Sequence, residues 1–419
     1  MPAPRNSAFS IRILLPVISI VLFQACSTAG DRSGEHYFEI VSENGAQMAV
    51  TSSVPKYDGQ LFEFEEILRL QQDEDRPESL LNRARLFILG DDGNYYVPDF
   101  GDNRIAVFNG KGVYSHSIGR QGAGPGEFES VFTCEVKNGQ LTAFDMRSRR
   151  LSIFSTNGEF IHQINAPQVG IGVNSLTPLS EDRTLISYTD YDPTDPEYMP
   201  QWTNILVFSA SNDTLCQLSS DPWSFGKRIF VDRFGGTAQH FFGPRTGIYY
   251  YPGCGILKYN TKDPIIEWYN LYGSLQRTIR MDMSPEKVTD EEKKGIQRYL
   301  QRRIDEASNE GQRAVYEESK KQAVIPSEKS CWGGVSSDEH GYHWITYYTD
   351  YAHPDPLEAP LRYRLLSPEG EYLGDVEYPE RGASRSRGHL LVYREDDETG
   401  EIAYIVYRMI PAVEGFKYP

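Results

Sequence analysis

Carboxylates that return at one place in a repeat are the residues of this 419-residue sequence most suited to chemistry. Asp99, Asp145, Asp190, Asp350 and Asp396 each close a short apolar run. A carboxylate in that position accepts backbone N–H groups and fixes the following turn. Several converging near a channel mouth would instead hold Ca²⁺, which takes six to eight oxygens. Asp is a preferred turn residue and the spacing drifts between copies, so the turn role is expected, with Asp99 and Asp145 kept as candidate metal ligands.

A second signal is an internal duplication. Tyr-Thr-Asp-Tyr occurs at 188–191 and 348–351, each followed at the same offset by Asp-Pro, with Asp195 and Asp355. Paired tyrosines stack on a sugar or grip a peptide, although Tyr is also an ordinary strand residue. Tyr188, Asp190, Tyr191, Asp195, Tyr348, Asp350, Tyr351 and Asp355 are therefore the candidate ligand-binding residues. No catalytic residue is assigned, because the chain has no G-x-S-x-G and no H-E-x-x-H. His340 and His343 straddle a turn and face different environments. Cys134, Cys216, Cys254 and Cys331 form no C-x-x-C pair or zinc-ligand spacing, and Cys134 and Cys331 are placed on the inner strands of opposite blades as buried free thiols.

The elements that must position these residues are repeated hairpins. Residues 86–128 hold four apolar runs separated by Asp92-Gly93-Asn94, Gly101-Asp102-Asn103 and Gly110-Lys111-Gly112. Gly supplies φ > 0 there, and Asn or Asp bonds its own backbone. Four strands in about 45 residues make one propeller blade. If Gly93, Gly139, Asp182, Gly247, Gly341 and Gly388 mark the first turn of each copy, the steps are 46, 43, 65, 94 and 47 residues. Removing the 46-residue helical segment 284–329 brings the fourth step to 48. A second signature, VFNGKGVY, IFSTNGEF, WYNLYGSL and LLSPEGEY, repeats with it. The reading is all-β, a six-bladed propeller.

The stretch Asp99-Phe100-Gly101-Asp102-Asn103-Arg104-Ile105, the glycine-rich connector at 122–128, a helical insertion after the fourth blade, and Trp344 with Pro368-Glu369-Gly370 together resemble the NHL-repeat-like six-bladed β-propeller lipoproteins of bacteria. The resemblance spans most of 60–411 and implies the fold. It is nearly silent on activity, since one architecture hosts enzymes, binding modules and scaffolds.

Residues 1–25 carry Arg5 and Arg12, then an apolar core at 13–23, in the order of a secretory signal peptide. A core of 11 residues is too short to span a bilayer. Ala25 followed by Cys26 is a lipobox pattern, making Cys26 the expected lipidation site. By analogy with bacterial lipoproteins, Ser27 after the Cys implies the outer membrane of the cell envelope rather than inner-membrane retention. Residues 26–58 read as a lipidated tether with an ordering segment, and 59–415 as the propeller. Without residues 1–25 the chain has 40 basic against 59 acidic residues, which repels a phosphate backbone and argues against nucleic acid as a partner.

Blade six shows only two clear strands, so residues 60–71 are assigned to close the ring as its missing strand. The insertion opens with Thr289-Asp290-Glu291-Glu292, a capping box, and places Ile296, Tyr299, Leu300, Ile304 and Ala307 on one helical face. Strand two-to-three loops and blade connectors share one face of a propeller, so the Tyr-Thr-Asp-Tyr loops and the helical arm are expected together. The glycine-rich 119–128 loop lacks G-K-[ST] and reads as a blade connector. Two functions follow: a non-catalytic binding or scaffold module for an envelope protein, peptide or glycan, without a cofactor, or a metal-dependent hydrolase of gluconolactonase type with Ca²⁺ near the channel mouth.

Overall fold

Asn109, Ser155, Asn270 and Ser367 occupy one position in four hairpins, and each uses its side chain in the same way. Asn109 Oδ1 accepts the N–H of Lys111 and Val113, and Asn270 Oδ1 that of Tyr272 and Ser274. The Ser155 and Ser367 hydroxyls accept from Glu159 and from Glu369 and Glu371. These Asx- and Ser-type turns close the last hairpin of blades one, two, four and five, which is why the repeated signature marks the repeat so well.

The computed structural model describes residues 34–43, 46–165, 172–180, 183–191, 200–209, 213–222, 228–231, 234–237, 239–251, 255–395 and 402–419. Among the described residues the sheets are six antiparallel four-stranded blades, starting with Ile88–Leu89, Val131–Lys137, Gly172–Ser180, Thr246–Tyr251, Gly334–Ser337 and Ala383–Ser386, and a separate two-stranded hairpin of Arg228–Val231 and Phe234–Thr237. The first strands of blades two, four, five and six wall one common cavity, which makes them the inner strands. The apolar core lies between neighbouring blades. Trp344, Leu365 and Val376 of the fifth pack on Leu390 and Ile405 of the sixth, and Leu391 and Val406 of the sixth on Val97 and Phe108 of the first.

Ring closure is as expected. The strand β3 (Phe62–Arg69) pairs antiparallel with Ile402–Pro411 as the outermost strand of blade six. Phe62, 1 % exposed, stacks on Trp344 with centroids 6.0 Å apart and meets the edges of Phe416 and Tyr418. The third strand missed in that blade is Ala383–Ser386, whose alternation of Ser and Arg carries no apolar signal.

The tether reading is corrected for its second half. β1 (Phe38–Glu43) and β2 (Ala46–Ser52) form a hairpin, and β2 adds in parallel to the outer strand Leu275–Asp282 of blade four. From there the chain follows blade five's outer strand, with Lys56, Tyr57 and Leu61 donating to the carbonyls of Tyr372, Leu373 and Asp375. Ala49 and Thr51 are buried in the contact, a short alternation hidden among Ser- and Gly-rich neighbours. Two placements shift as well. Gly247 lies inside blade four's inner strand rather than in its first turn, and Cys331 precedes the inner strand of blade five by three residues. Cys134, Cys216 and Cys331 are free thiols.

Between blades four and five stand α1 (Asp290–Asp305) and α2 (Glu310–Gln322). Thr289 and Glu292 form the expected capping box, and Lys329 holds Glu292 at 2.7 Å. α1 buries Ile296 and Leu300 against Phe241 and Phe242 of the blade three-to-four connector. Gly295 makes that docking close: a Cβ there would lie 1.5 Å from the Tyr351 carbonyl oxygen. Among the described residues no helix is long and apolar enough to cross a membrane.

Candidate functional site

The blade-five copy of Tyr-Thr-Asp-Tyr begins where its strand His343–Thr346 has already ended. Tyr351 is packed edge-on against Phe241, Phe242 and Tyr299, with centroids at 5.3, 5.7 and 5.7 Å. Burial, followed by the neighbouring Tyr299, pushes its phenol up to about 12. Tyr348 meets Phe242 at 5.2 Å. Asp350 accepts the N–H of Ala352 and His353, the turn role a short carboxylate takes. Asp355 accepts from Leu357 N–H and from the Arg302 guanidinium of α1, and these two contacts hold its carboxyl low, the backbone bond counting most. Tyr348, Tyr351 and Asp355 belong to the seat of the helical arm, while Asp350 is exposed, closes its own turn and with Tyr348 borders a small cavity.

The blade-three copy is built differently. Its motif completes the strand Arg183–Tyr191, and Tyr188 packs against the cluster of Phe144, Leu151, Ile186 and Leu206. In blade five the same four residues leave the sheet, so the duplication in sequence is not a duplication in space. Asp190 and Tyr191 are strand residues, while Asp195, Asp396 and Cys26 lie outside the described residues.

Asp99 and Asp145 are wholly buried at the ends of second strands. Asp145 accepts four backbone N–H groups, from Glu129, Ser130, Arg147 and Ser148 at 2.7–3.2 Å. Asp99 accepts from Asn82 N–H and pairs with Arg104 at 3.3 Å. Burial pushes the Asp99 carboxyl up against these donors. Their oxygens fasten the loop entering each blade to its second strand. Among the described residues, no three His, Cys, Asp or Glu side chains form a group able to hold a cation.

Beside a cavity of about 180 Å³ bordered by Tyr348 and Asp350, two larger chambers of the central channel could hold a ligand. One, of about 770 Å³, lies at the first-turn end of the inner strands, between Cys134 to Lys137, Tyr251, Ser337 to His340 and Arg387. The other, of about 500 Å³, lies at the connector end, on the face that carries the helical arm, between blades four, five and six. Ser336 and Arg385 belong to both walls, so these two side chains stand between the chambers.

Tyr249 on the inner strand of blade four lines the second chamber and is 45 % exposed. Its ring stacks at 18° on Tyr259, with centroids 6.3 Å apart. Tyr259 comes from the second strand, and its ring lies against the inner one because position 247 is glycine: a Cβ there would sit 2.4 Å from it. Arg385 lies over the Trp344 ring at 4.2 Å, donates to Tyr378 Oη at 2.5 Å and to Ser336 Oγ at 2.6 Å. His343, behind the channel wall, is fully buried and bonded to Ser337 Oγ at 2.7 Å. Burial and then Arg277 press its imidazole down to about 3, so it stays neutral. Tyr249, Tyr259 and Arg385 were not foreseen. The one available signal was Thr246-Gly247-Ile248-Tyr249-Tyr250-Tyr251, a glycine then clustered tyrosines on an inner strand.

The same architecture appears in known proteins. The family model DUF5128, described as a 6-bladed beta-propeller, matches residues 80–145. A protein named as exported in Bacteroides fragilis NCTC 9343 has a similar crystal structure, with 14 % identity, a TM-score of 0.51, and coverage of 87 % of this chain and 99 % of that one. A member of the DUF4221 family from Bacteroides vulgatus ATCC 8482 has 12 % identity, a TM-score of 0.47, and coverage of 84 % and 99 %. No curated protein matches the sequence. The class is thus the six-bladed β-propeller; at these identities the likeness concerns the fold.

Proposed function

We propose that the chain is an exported, lipid-anchored binding module that holds a glycan or similarly flat polar ligand in the connector-side chamber of its channel. The observation that carries this reading is Tyr249, a large aromatic face left 45 % exposed on an inner strand and backed by a second ring in stacked geometry. A buried partner fixes such a platform in advance, so ligand stacking costs little side-chain entropy. Export is supported by the signal-like residues 1–25 and by the exported naming of the Bacteroides fragilis protein, and anchoring by Ala25-Cys26 alone.

The test is glycan-array binding with Tyr249→Ala beside Tyr351→Ala. Tyr249→Ala is expected to lose array binding while melting like the parent, and Tyr351→Ala to lose stability with binding retained in the folded fraction. Array binding that survives Tyr249→Ala refutes the chamber as the site. For the anchor, Cys26→Ser should shift the protein from the membrane to the soluble fraction, and an unchanged distribution refutes lipidation.

A further inference from the structure

We infer that the connector-side chamber selects an anionic ligand, a sugar ring carrying a carboxylate or sulfate, through the Arg385 guanidinium. This rests on the chamber being the ligand site. A guanidinium stays charged at every accessible pH, and taking it out of water is costly unless an anion faces it. Among the described residues no carboxylate lies within ion-pair distance of Arg385. Among the described residues its acceptors are two neutral hydroxyls, of Tyr378 and Ser336, and its buried Nε has none. The faces of Trp344 and Tyr363, at 4.2 and 5.1 Å, offset part of that cost and fix the plane of the group.

The composition of the wall agrees. In a chain of formal net charge −17, the chamber is lined by Arg245, Arg385, Tyr249, Tyr259, hydroxyl side chains such as Thr346 and Ser384, and glycine backbone at 333 and 334, with no carboxylate among the described residues. A held planar cation beside a stacked aromatic pair suits a ring that bears an oxyanion, since carboxylate and sulfate oxygens accept from a guanidinium while the ring covers an aromatic face. A purely structural reading is also concrete: Arg385 ties blade six to Ser336 of blade five and to Tyr378 of the connector between them. The two make different predictions about what a soluble anion does.

The deciding experiment is calorimetric titration of the purified protein with glucuronate, glucose and inorganic sulfate, at ionic strength held constant with sodium chloride. Glucuronate should bind at least about tenfold more tightly than glucose, the worth of one charge-assisted contact. Sulfate should compete with glucuronate, and Arg385→Gln should remove the preference while Arg385→Lys keeps part of it. Equal affinity for glucuronate and glucose, no heat with glucuronate or sulfate, or a preference intact in Arg385→Gln overturns the inference. If Arg385→Gln does not fold, the comparison of the two sugars and the sulfate competition in the parent protein decide. Tyr249→Ala separates this from the wider reading: it should weaken both sugars and leave sulfate binding. Sugar binding unchanged by Tyr249→Ala removes the stacking site while leaving the anion result to stand or fall on Arg385.

Discussion

Gly295→Ala should destabilise the helical arm, although helix propensity alone says the opposite. Ala in place of Gly inside a helix favours it by about 1 kcal/mol. The new methyl, however, would start 1.5 Å from the Tyr351 carbonyl oxygen, where real contacts need more than 3 Å. A backbone carbonyl cannot rotate aside as a side chain does, so α1 has to retreat by roughly the missing distance. Ile296 and Leu300, at 0 and 3 % exposure, then lose contact with Phe241 and Phe242. Burying such a side chain is worth about 1.5–3 kcal/mol, and forced overpacking costs about 1–3 kcal/mol. Set against the propensity gain, the net is a loss of about 2 kcal/mol, confined to the arm and its seat. Hydrogen exchange measures it: amides of 290–305 and of the 347–359 loop should exchange roughly thirtyfold faster than in the parent, with the blade strands unaffected. Protection equal to or above the parent's would show that α1 is not pressed against that carbonyl.

Phe62→Ala should cost about 3–5 kcal/mol in denaturant unfolding, since it empties the contact between Trp344, Phe416 and Tyr418, while Ile67→Ala on the exposed face of β3 stays within about 0.5 kcal/mol; equal effects would refute ring closure through β3. His343 is held neutral in the fold, at about 3 against 6.5, so the unfolded chain binds the proton first. That contribution is complete above pH 6.5 and is lost as pH falls toward 3, with a slope of up to about 1.4 kcal/mol per pH unit. His343→Gln should flatten the parent's urea-midpoint decline between pH 7 and 5, and parallel curves would refute the neutral, buried state. Asp145→Ala leaves four backbone N–H groups, part-buried around it, without their acceptor and should cost about 3 kcal/mol, with calcium changing the melting of neither protein; a calcium-dependent stabilisation lost in the variant would restore the cation reading.

The parts of the fold that could be read from sequence are those specified locally. A turn that needs Asn109 or Ser367 at one place writes that need into the chain, and so does a capping box at Thr289. Blade six hid its inner strand because Ala383–Ser386 faces a polar channel on one side and a neighbouring blade on the other, which leaves Ser and Arg where a core strand would show Val or Ile. The site was harder still. Tyr249, Ser336 and Arg385 come from three blades, and no periodicity along the chain brings them together. The Tyr-Thr-Asp-Tyr duplication drew attention to the face that carries the connector-side chamber but not to Tyr249 or Arg385, and its copies complete a strand in blade three and follow one in blade five.

The rim path of the N-terminal segment has a mechanical meaning. A force applied ahead of His36 first meets the His36 contacts with Val54 and Glu371, and then the β1–β2 hairpin on blade four from its Tyr37 and Phe38 end. It then meets the contacts along blade five, and only afterwards β3. Peeling β1 breaks its ladder a pair at a time and leaves each blade with its four strands. A pull on the N-terminus would thus be taken up first by this hairpin, and the ring with its channel would bear load only after the hairpin and the blade-five contacts had given way.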